Sequence, residues 1–341
     1  MAQAPSLKEV IERLVAREDL TLEEAQGAVE AVINGADPHQ CAAFLVLLRA
    51  KVETPREVAG MVLAMRKHMI PVPLAGTTID IVGTGGDGAN TLNFSTAASL
   101  VAASCGARVA KHGNRSVSSK SGSADVLQAL GVKLDLGAAQ VAACVDEASI
   151  CFMFAPVFHP AMKAIVPVRK ALGVRTVFNI LGPLLNPASA SRLLIGVYAP
   201  HLVELVARAL YELEVERAYV IHCGGLDELA PIAVADIADV TRDGVTFGKL
   251  DPFALGFERC SIDDLKGGEA EENAAVLRKL LAGDVPGPLE DTVVLNAGTA
   301  LYVYGKAASV REGCDMARAA IKSGAPLKTL AAWAGVCSRF A

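Results

Sequence analysis

The chain lacks an apolar run of bilayer length. Its longest candidates, Cys41 to Leu48 and Val293 to Gly305, stop well short of the roughly 20 residues that a spanning helix needs. With 52% hydrophobic residues, that apolar material is expected to form core. The first residues reach Lys8 and Glu9 without the apolar stretch of a secretory signal, so a cytoplasmic location is the expectation. Charge of one sign is not in excess either. The 32 basic and 37 acidic side chains leave a net charge of -5, which gives no broad field for nucleic acid or an anionic membrane. The eight cysteines form no Cys-x-x-Cys pair and no metal-ligand spacing with the six histidines, which predicts reduced thiols used as small core residues. Internal repeats and low-complexity tracts are absent.

At 341 residues there is room for two domains of roughly 150 residues each. The first seventy residues read as four short helices. Ser6 with Glu9, and Thr21 with Glu24, are capping-box starts, and Asp37-Pro38 and Thr54-Pro55 open two more helices. Met69 to Gly76, with two prolines and a glycine, reads as a crossing between domains. Beyond it, β-rich runs at Ile79–Val82, Arg108–Ala110, Ile150–Phe154, Leu193–Tyr198 and Ala218–His222 alternate with helical stretches, which predicts an α/β layer of parallel strands. Phe158 to Pro187 reads as helical and able to fold back onto the N-terminal helices. The stretch from Ser261 onward is helical and expected to cover the sheet. The expected division is a helical domain over residues 1–72, completed by about 160–190, and an α/β domain over 73–341.

Four segments carry candidate chemistry. Strand Ile79–Val82 runs into Gly83-Thr-Gly-Gly-Asp-Gly88 and then Asn93-Phe-Ser-Thr96 at a helix start. Glycines allow close backbone approach to an anion, and a helix N-terminus offers unpaired N–H groups. An ordinary strand-helix turn explains most isolated Gly-x-Gly-Gly sequences equally well. The stretch is neither a Walker A loop nor a dinucleotide fingerprint, and Asp87 beside phosphates points to a metal or a ribose. The second segment, Lys111 to Asp125, holds three cations, five serines and two glycines within thirteen residues, donors suited to phosphate and hydroxyl oxygens where open α/β sheets bind ligands. A solvated basic loop is the alternative.

The third segment, Ile221 to Ala230, sets adjacent carboxylates Asp227 and Glu228 in a glycine-bearing loop after a strand. Such a pair suits a magnesium ion held mainly by substrate phosphates and water, or mere solvent decoration. The fourth, Ala155 to Pro187, places Arg169 and Arg175 among apolar residues, where each needs a partner. From the residues alone, an internal ion pair satisfies either arginine.

Taken together, Gly-Thr-Gly-Gly-Asp, Asn-x-Ser-Thr, Lys-His-Gly-Asn-Arg and Arg-Thr-x-Phe-Asn-x-Leu-Gly-Pro-Leu-x-Asn-Pro, in this order, resemble the anthranilate phosphoribosyltransferase family over about residues 7 to 335. The resemblance implies a small all-helical N-terminal domain and a larger α/β domain with a mainly parallel sheet like that of the nucleoside phosphorylases. It also implies a homodimer formed through the helical domains. The implied reaction is transfer of a phosphoribosyl group from phosphoribosyl pyrophosphate (PRPP) to anthranilate with Mg2+, in tryptophan biosynthesis. Gly83, Gly86, Asp87, Thr91, Asn93, Phe94, Ser95, Thr96, Lys111, Ser119 and Ser123 match PRPP-contacting positions, with Gly113, Arg115, Ser116, Val117 and Ser118 in the same binding loop. Ser95, Asp227 and Glu228 match the magnesium positions. Asn114 and Arg169 match residues that meet anthranilate, with His112, Ala155, Pro156 and His159 lining its approach, so the family reading replaces the ion pair for Arg169 while Arg175 keeps it. Ala230, where the family often has serine, and Met162, where some members have an aromatic residue, depart from the pattern in ways that bear on affinity. Anthranilate synthase subunits, if they associate, are expected as separate proteins.

A nucleoside phosphorylase needs a nucleobase pocket that the Arg169 region argues against. A silent nucleic-acid-binding paralogue is expected to lose Asp227 and Glu228 and gain a basic face.

Overall fold

The computed structural model describes residues 5–116 and 120–340; Val117, Ser118 and Ser119 therefore lie outside the described residues. Four helices open the chain, Leu7–Val15, Leu22–Ile33, Pro38–Lys51 and Pro55–Lys67, where the caps predict them. Ser6/Glu9, Thr21/Glu24 and Thr54/Glu57 each close a reciprocal capping box, and Asp37 accepts the N–H groups of His39 and Gln40. Each cap contributes about 1 kcal/mol. Glu57 is also fully buried, and it accepts the Leu20 N–H at 2.9 Å and the Lys51 ammonium at 3.1 Å. That pairing permits a carboxylate inside the bundle.

The five predicted strands form as β1 (Ile79–Gly83), β2 (Val109–Gly113), β3 (Ile150–Phe154), β4 (Arg192–Gly196) and β5 (Arg217–His222). They pair in parallel in the order β3-β2-β1-β4-β5. The sheet is mainly parallel, as expected, and β6 (Ala235–Thr241) and β7 (Gly244–Leu250) add an antiparallel hairpin at the β5 edge. The chain steps outward from β1 to β2 on one side and resumes with β4 on the other. That makes the space above the C-terminal ends of β1 and β4 the topological switch point, where open sheets bind ligands.

Side-chain alternation along the strands feeds two cores. On one face Ile79, Ile81, Leu194 and Ile221 pack with the helices Phe94–Ser104, Pro288–Tyr304 and Ala325–Ser338. On the other, Leu193, Ile195, Val220 and Val240 share a core with the helix His201–Glu212 and the N-terminal helices. Ile165, Val177, Phe178 and Leu181 from the returning segment join this second core. The crossing segment is stitched to that return, since Ile70 N–H donates to Phe158 O (2.8 Å) and Val72 N–H to Pro187 O (2.9 Å). All eight cysteines are free thiols. Among the described residues, no helix is long and apolar enough to cross a membrane.

Candidate active site

The loop after β1 turns on Gly85, Gly86 and Gly88, all at positive φ (67°, 78° and 73°), which side chains other than glycine rarely adopt. The expectation that the following helix offers free N–H groups is corrected. Phe94 N–H donates to Leu92 O, Thr96 N–H to Asn93 O, and Ser95 N–H to Glu228 Oε1 at 3.2 Å. In the glycine turn itself, the N–H groups of Gly86, Asp87 and Gly88 have no protein acceptor. Three consecutive donors in a glycine turn make an anion-binding nest. Phe94 buries its ring in the core beneath that loop.

Asp227 and Glu228 arrive from the loop after β5. Asp227 Oδ2 accepts the Gly85 N–H at 2.6 Å, and Glu228 Oε2 is buried without a hydrogen-bond partner. Burial first, and the nearby Asp87 charge second, push the Asp227 carboxyl up to about 7. Burial, with Asp227 and Asp87 close by, holds Glu228 well above the usual carboxylate range. Among the described residues, no Lys or Arg forms an ion pair with either carboxylate. Glu228 feels the charge of Lys111, whose buried ammonium donates to Ile81 O (2.6 Å) and Ser95 Oγ (3.3 Å) and whose pKa is lowered by burial. Among the described residues, no three His, Cys, Asp or Glu side chains converge as a metal cage. The hard oxygen donors and the orphaned Glu228 oxygen nonetheless fit a divalent ion completed by ligand oxygens and water.

Supporting residues outside the sequence motifs fix this loop. Asn296 accepts the Leu229 N–H at 3.1 Å and donates to Leu229 O at 2.7 Å. His222 Nδ1 lies 2.8 Å from Val197 O while Nε2 accepts the Gly225 N–H, which assigns the proton to Nδ1. Gly83 and Gly196 are required by space: a Cβ on either would overlap Asp227, on its carboxylate for Gly83 and on its backbone carbonyl for Gly196. Thr91 bridges to Lys266, and Lys266 Nζ donates to Ala89 O at 2.7 Å, so the far side of the glycine loop leans on a segment about 175 residues away in sequence. Asn93 Nδ2 donates to Ser121 O, and its Oδ1 accepts from Asn273. Asp80, buried in β1, accepts from Asn186 Nδ2 (2.7 Å) and His112 N–H (3.3 Å).

The loop after β2 carries Gly113, Asn114, Arg115 and Ser116. A Cβ at Gly113 would overlap Ser123 Oγ. Asn114 Oδ1 accepts the Arg115 N–H at 2.8 Å, and Asn114 O receives Ser123 Oγ–H and Ala124 N–H. Arg115 turns to Asp125 (2.7 Å) and Gln128. His112 meets the His159 ring edge-on at a centroid distance of 5.0 Å, which brings the end of β2 to the helix Ala155–Phe158. Burial drives both imidazoles down, His112 to about 3 and His159 to about 4, so both are neutral at physiological pH.

Arg169, on the helix Met162–Leu172, has no carboxylate partner among the described residues. Its guanidinium lies 5.8 Å from the Phe178 centroid, and burial lowers its pKa. The internal-ion-pair reading of Arg175 is also overturned: it donates to Gly86 O and stacks 4.4 Å from the Tyr198 centroid. The sheet, the nest and the paired carboxylates lie together at the switch point, and the class of protein is a glycosyl transferase. Family models agree, with the helical bundle domain matching residues 8–69 and the a/b domain residues 75–327.

Within that class, the chain belongs to the anthranilate phosphoribosyltransferase family. It is 50% identical to the enzyme of Thermomicrobium roseum over 94% of both chains, and 44% identical to that of Chlamydia caviae over 96% of both. The crystal structure of the Thermus thermophilus enzyme superposes with a TM-score of 0.92 at 42% identity, covering 96% of this chain and 99% of that one. A Saccharomyces cerevisiae enzyme in complex with PRPP and Mg superposes at 0.90 with 27% identity, covering 98% of both.

Proposed function

We propose that this protein transfers the 5-phosphoribosyl group of PRPP to the amine of anthranilate, giving N-(5-phosphoribosyl)anthranilate and pyrophosphate, for tryptophan biosynthesis. The observation that carries the reading is the run of free N–H groups at Gly86–Gly88, in the loop whose Gly85 N–H meets Asp227, beside a buried Glu228 oxygen with no partner. The nest holds the pyrophosphate, and Asp227, Glu228 and Ser95 hold Mg2+. Magnesium, when bound, supplies positive charge to the departing pyrophosphate. The remaining work belongs to this chain's own groups. Loop N–H donors and Lys111 stabilise charge that moves onto the leaving group as the anomeric carbon becomes oxocarbenium-like. Arg169 grips the anthranilate carboxylate, and Asn114 orients the aromatic amine. Together they turn a bimolecular encounter into a positioned one. His112 is a positioning group in this reading, because an imidazole with a pKa of about 3 gains little from taking the amine proton.

We take the protein to be cytoplasmic and homodimeric through its helical domain, where Val15, Val46 and Val52 expose apolar surface (60%, 43% and 64%). Loss of anthranilate fluorescence is expected only when PRPP and a divalent ion are both present. Turnover that persists in excess chelator contradicts the proposal. Arg169→Ala is expected to weaken anthranilate binding about 10- to 150-fold, the worth of a charge-assisted hydrogen bond of about 1.5–3 kcal/mol. Its melting temperature should stay near wild type, because no internal ion pair is broken. Separate titrations of the two substrates check this, and an equal loss for PRPP removes Arg169 from the anthranilate clamp.

A further inference from the structure

Arg175 has no part in the chemistry above, yet it makes a set of contacts that an idle surface arginine does not. Its side chain donates to Gly86 O, and its guanidinium carbon sits over the Tyr198 ring, 4.4 Å from the centroid. Its own carbonyl receives a guanidinium N–H from Arg49 of the helical domain. The Tyr198 platform is itself tied to the glycine loop, its N–H donating to Thr84 Oγ1 at 3.1 Å. The carbonyl of Gly86 and the N–H of Asp87 belong to one peptide unit. A cation on that oxygen therefore fixes the orientation of the free Asp87 N–H and polarises it toward an anion.

We propose that Arg175 is a positioning residue that holds the Gly86–Asp87 peptide with its N–H turned into the nest. It thereby couples the helical domain to recognition of the pyrophosphate group. This rests on the reading of the nest as the PRPP site. The segment that presents Arg169 to one substrate also braces the loop that receives the other, since the two arginines are six residues apart across the turn at Gly173.

The test compares wild type, Arg175→Ala and Arg175→Lys in steady-state kinetics and in titrations with pyrophosphate in the presence of magnesium. In Arg175→Ala, the KM for PRPP and the Kd for pyrophosphate are expected to rise about tenfold, equal to about 1.4 kcal/mol. The KM for anthranilate should stay within about twofold, and the melting temperature near wild type. Arg175→Lys, which keeps a cationic donor but loses the planar stack, should recover part of the loss. Unchanged PRPP and pyrophosphate constants in Arg175→Ala, beside an active wild type, overturn the positioning role alone. So does an equal weakening for both substrates with a lowered melting temperature, which marks a merely structural contact. A wild type that neither binds pyrophosphate nor consumes PRPP overturns the functional reading itself.

Discussion

The double variant Asp227→Asn, Glu228→Gln is expected to lose at least about a hundredfold in kcat while unfolding at or above the wild-type temperature. The two halves of this result have one cause. Asp227, Glu228 and Asp87 crowd like charges into a partly enclosed site, with a buried Glu228 oxygen left unpaired. In the metal-free protein, ionising these buried groups opposes folding, so neutral isosteres remove that cost while keeping shape and the Gly85 N–H contact. The same carboxylates are what a divalent ion needs, and removing its anchor forfeits several kcal/mol of charge stabilisation in the transition state. Thermal unfolding without metal, followed by turnover across a magnesium series, checks both halves. A double variant that unfolds well below wild type would show these carboxylates to be structural, and one with wild-type turnover would remove them from the site.

Gly196→Ala is expected to lower kcat by a similar or greater factor, although Gly196 touches no substrate in the proposed mechanism. Its backbone is ordinary β4 geometry that alanine also adopts, so only space forbids the methyl group. That methyl would coincide with the Asp227 backbone carbonyl. The loop has no slack to absorb it, because Leu229 is held from both sides by Asn296. The displacement falls instead on the carboxylates, and a shift of about 1 Å in a reacting constellation costs about a hundredfold. Gly83→Ala, which meets the Asp227 side chain rather than its backbone, should lose less, because a carboxylate can rotate away. Kinetics of the two variants in parallel test the ordering. Equal and mild effects would mean that the loop yields freely.

The parts of this architecture legible in the sequence are those with local signatures. Ser6, Thr21, Asp37 and Thr54 mark helix starts because a cap is a contact over two or three residues, and the five parallel strands announce themselves as short β-rich runs alternating with helical stretches. The hairpin β6–β7 escaped because β7 is largely exposed and carries Thr246, Gly248 and Lys249 where apolar residues would signal a strand. Its available clue was the Asp-Gly pair at 243–244, which closes the two-residue turn Arg242-Asp243. In the site, Gly83, Asp87, Asp227 and Glu228 stand in recognisable motifs. Gly196, Asn296 and Lys266 act on those motifs from far along the chain, and nothing near them in sequence records the contact. Asp80 was the readable exception, since a carboxylate inside Ile-Asp-Ile-Val must find a donor, and Asn186 and the His112 N–H supply it. Arg175 was misread for a related reason. An arginine among apolar residues demands an acceptor, but a backbone carbonyl meets that demand as well as a carboxylate, and sequence does not distinguish them.

The way the chain leaves the helical bundle and returns to it sets a timetable for synthesis. The fourth helix ends at Lys67, yet the core it shares is first rejoined by Ile165, Val177, Phe178 and Leu181 and completed later still by the helix His201–Glu212. At about 5–20 residues per second of translation, the nascent bundle waits about 5–20 seconds for Ile165 to be made. Throughout that interval the bundle has no returning segment to cover it. A ribosome stalled between β1 and β4 therefore holds out an unfinished, sticky bundle. Synonymous codon changes that slow this stretch should raise chaperone demand and aggregation without altering a single contact in the finished protein.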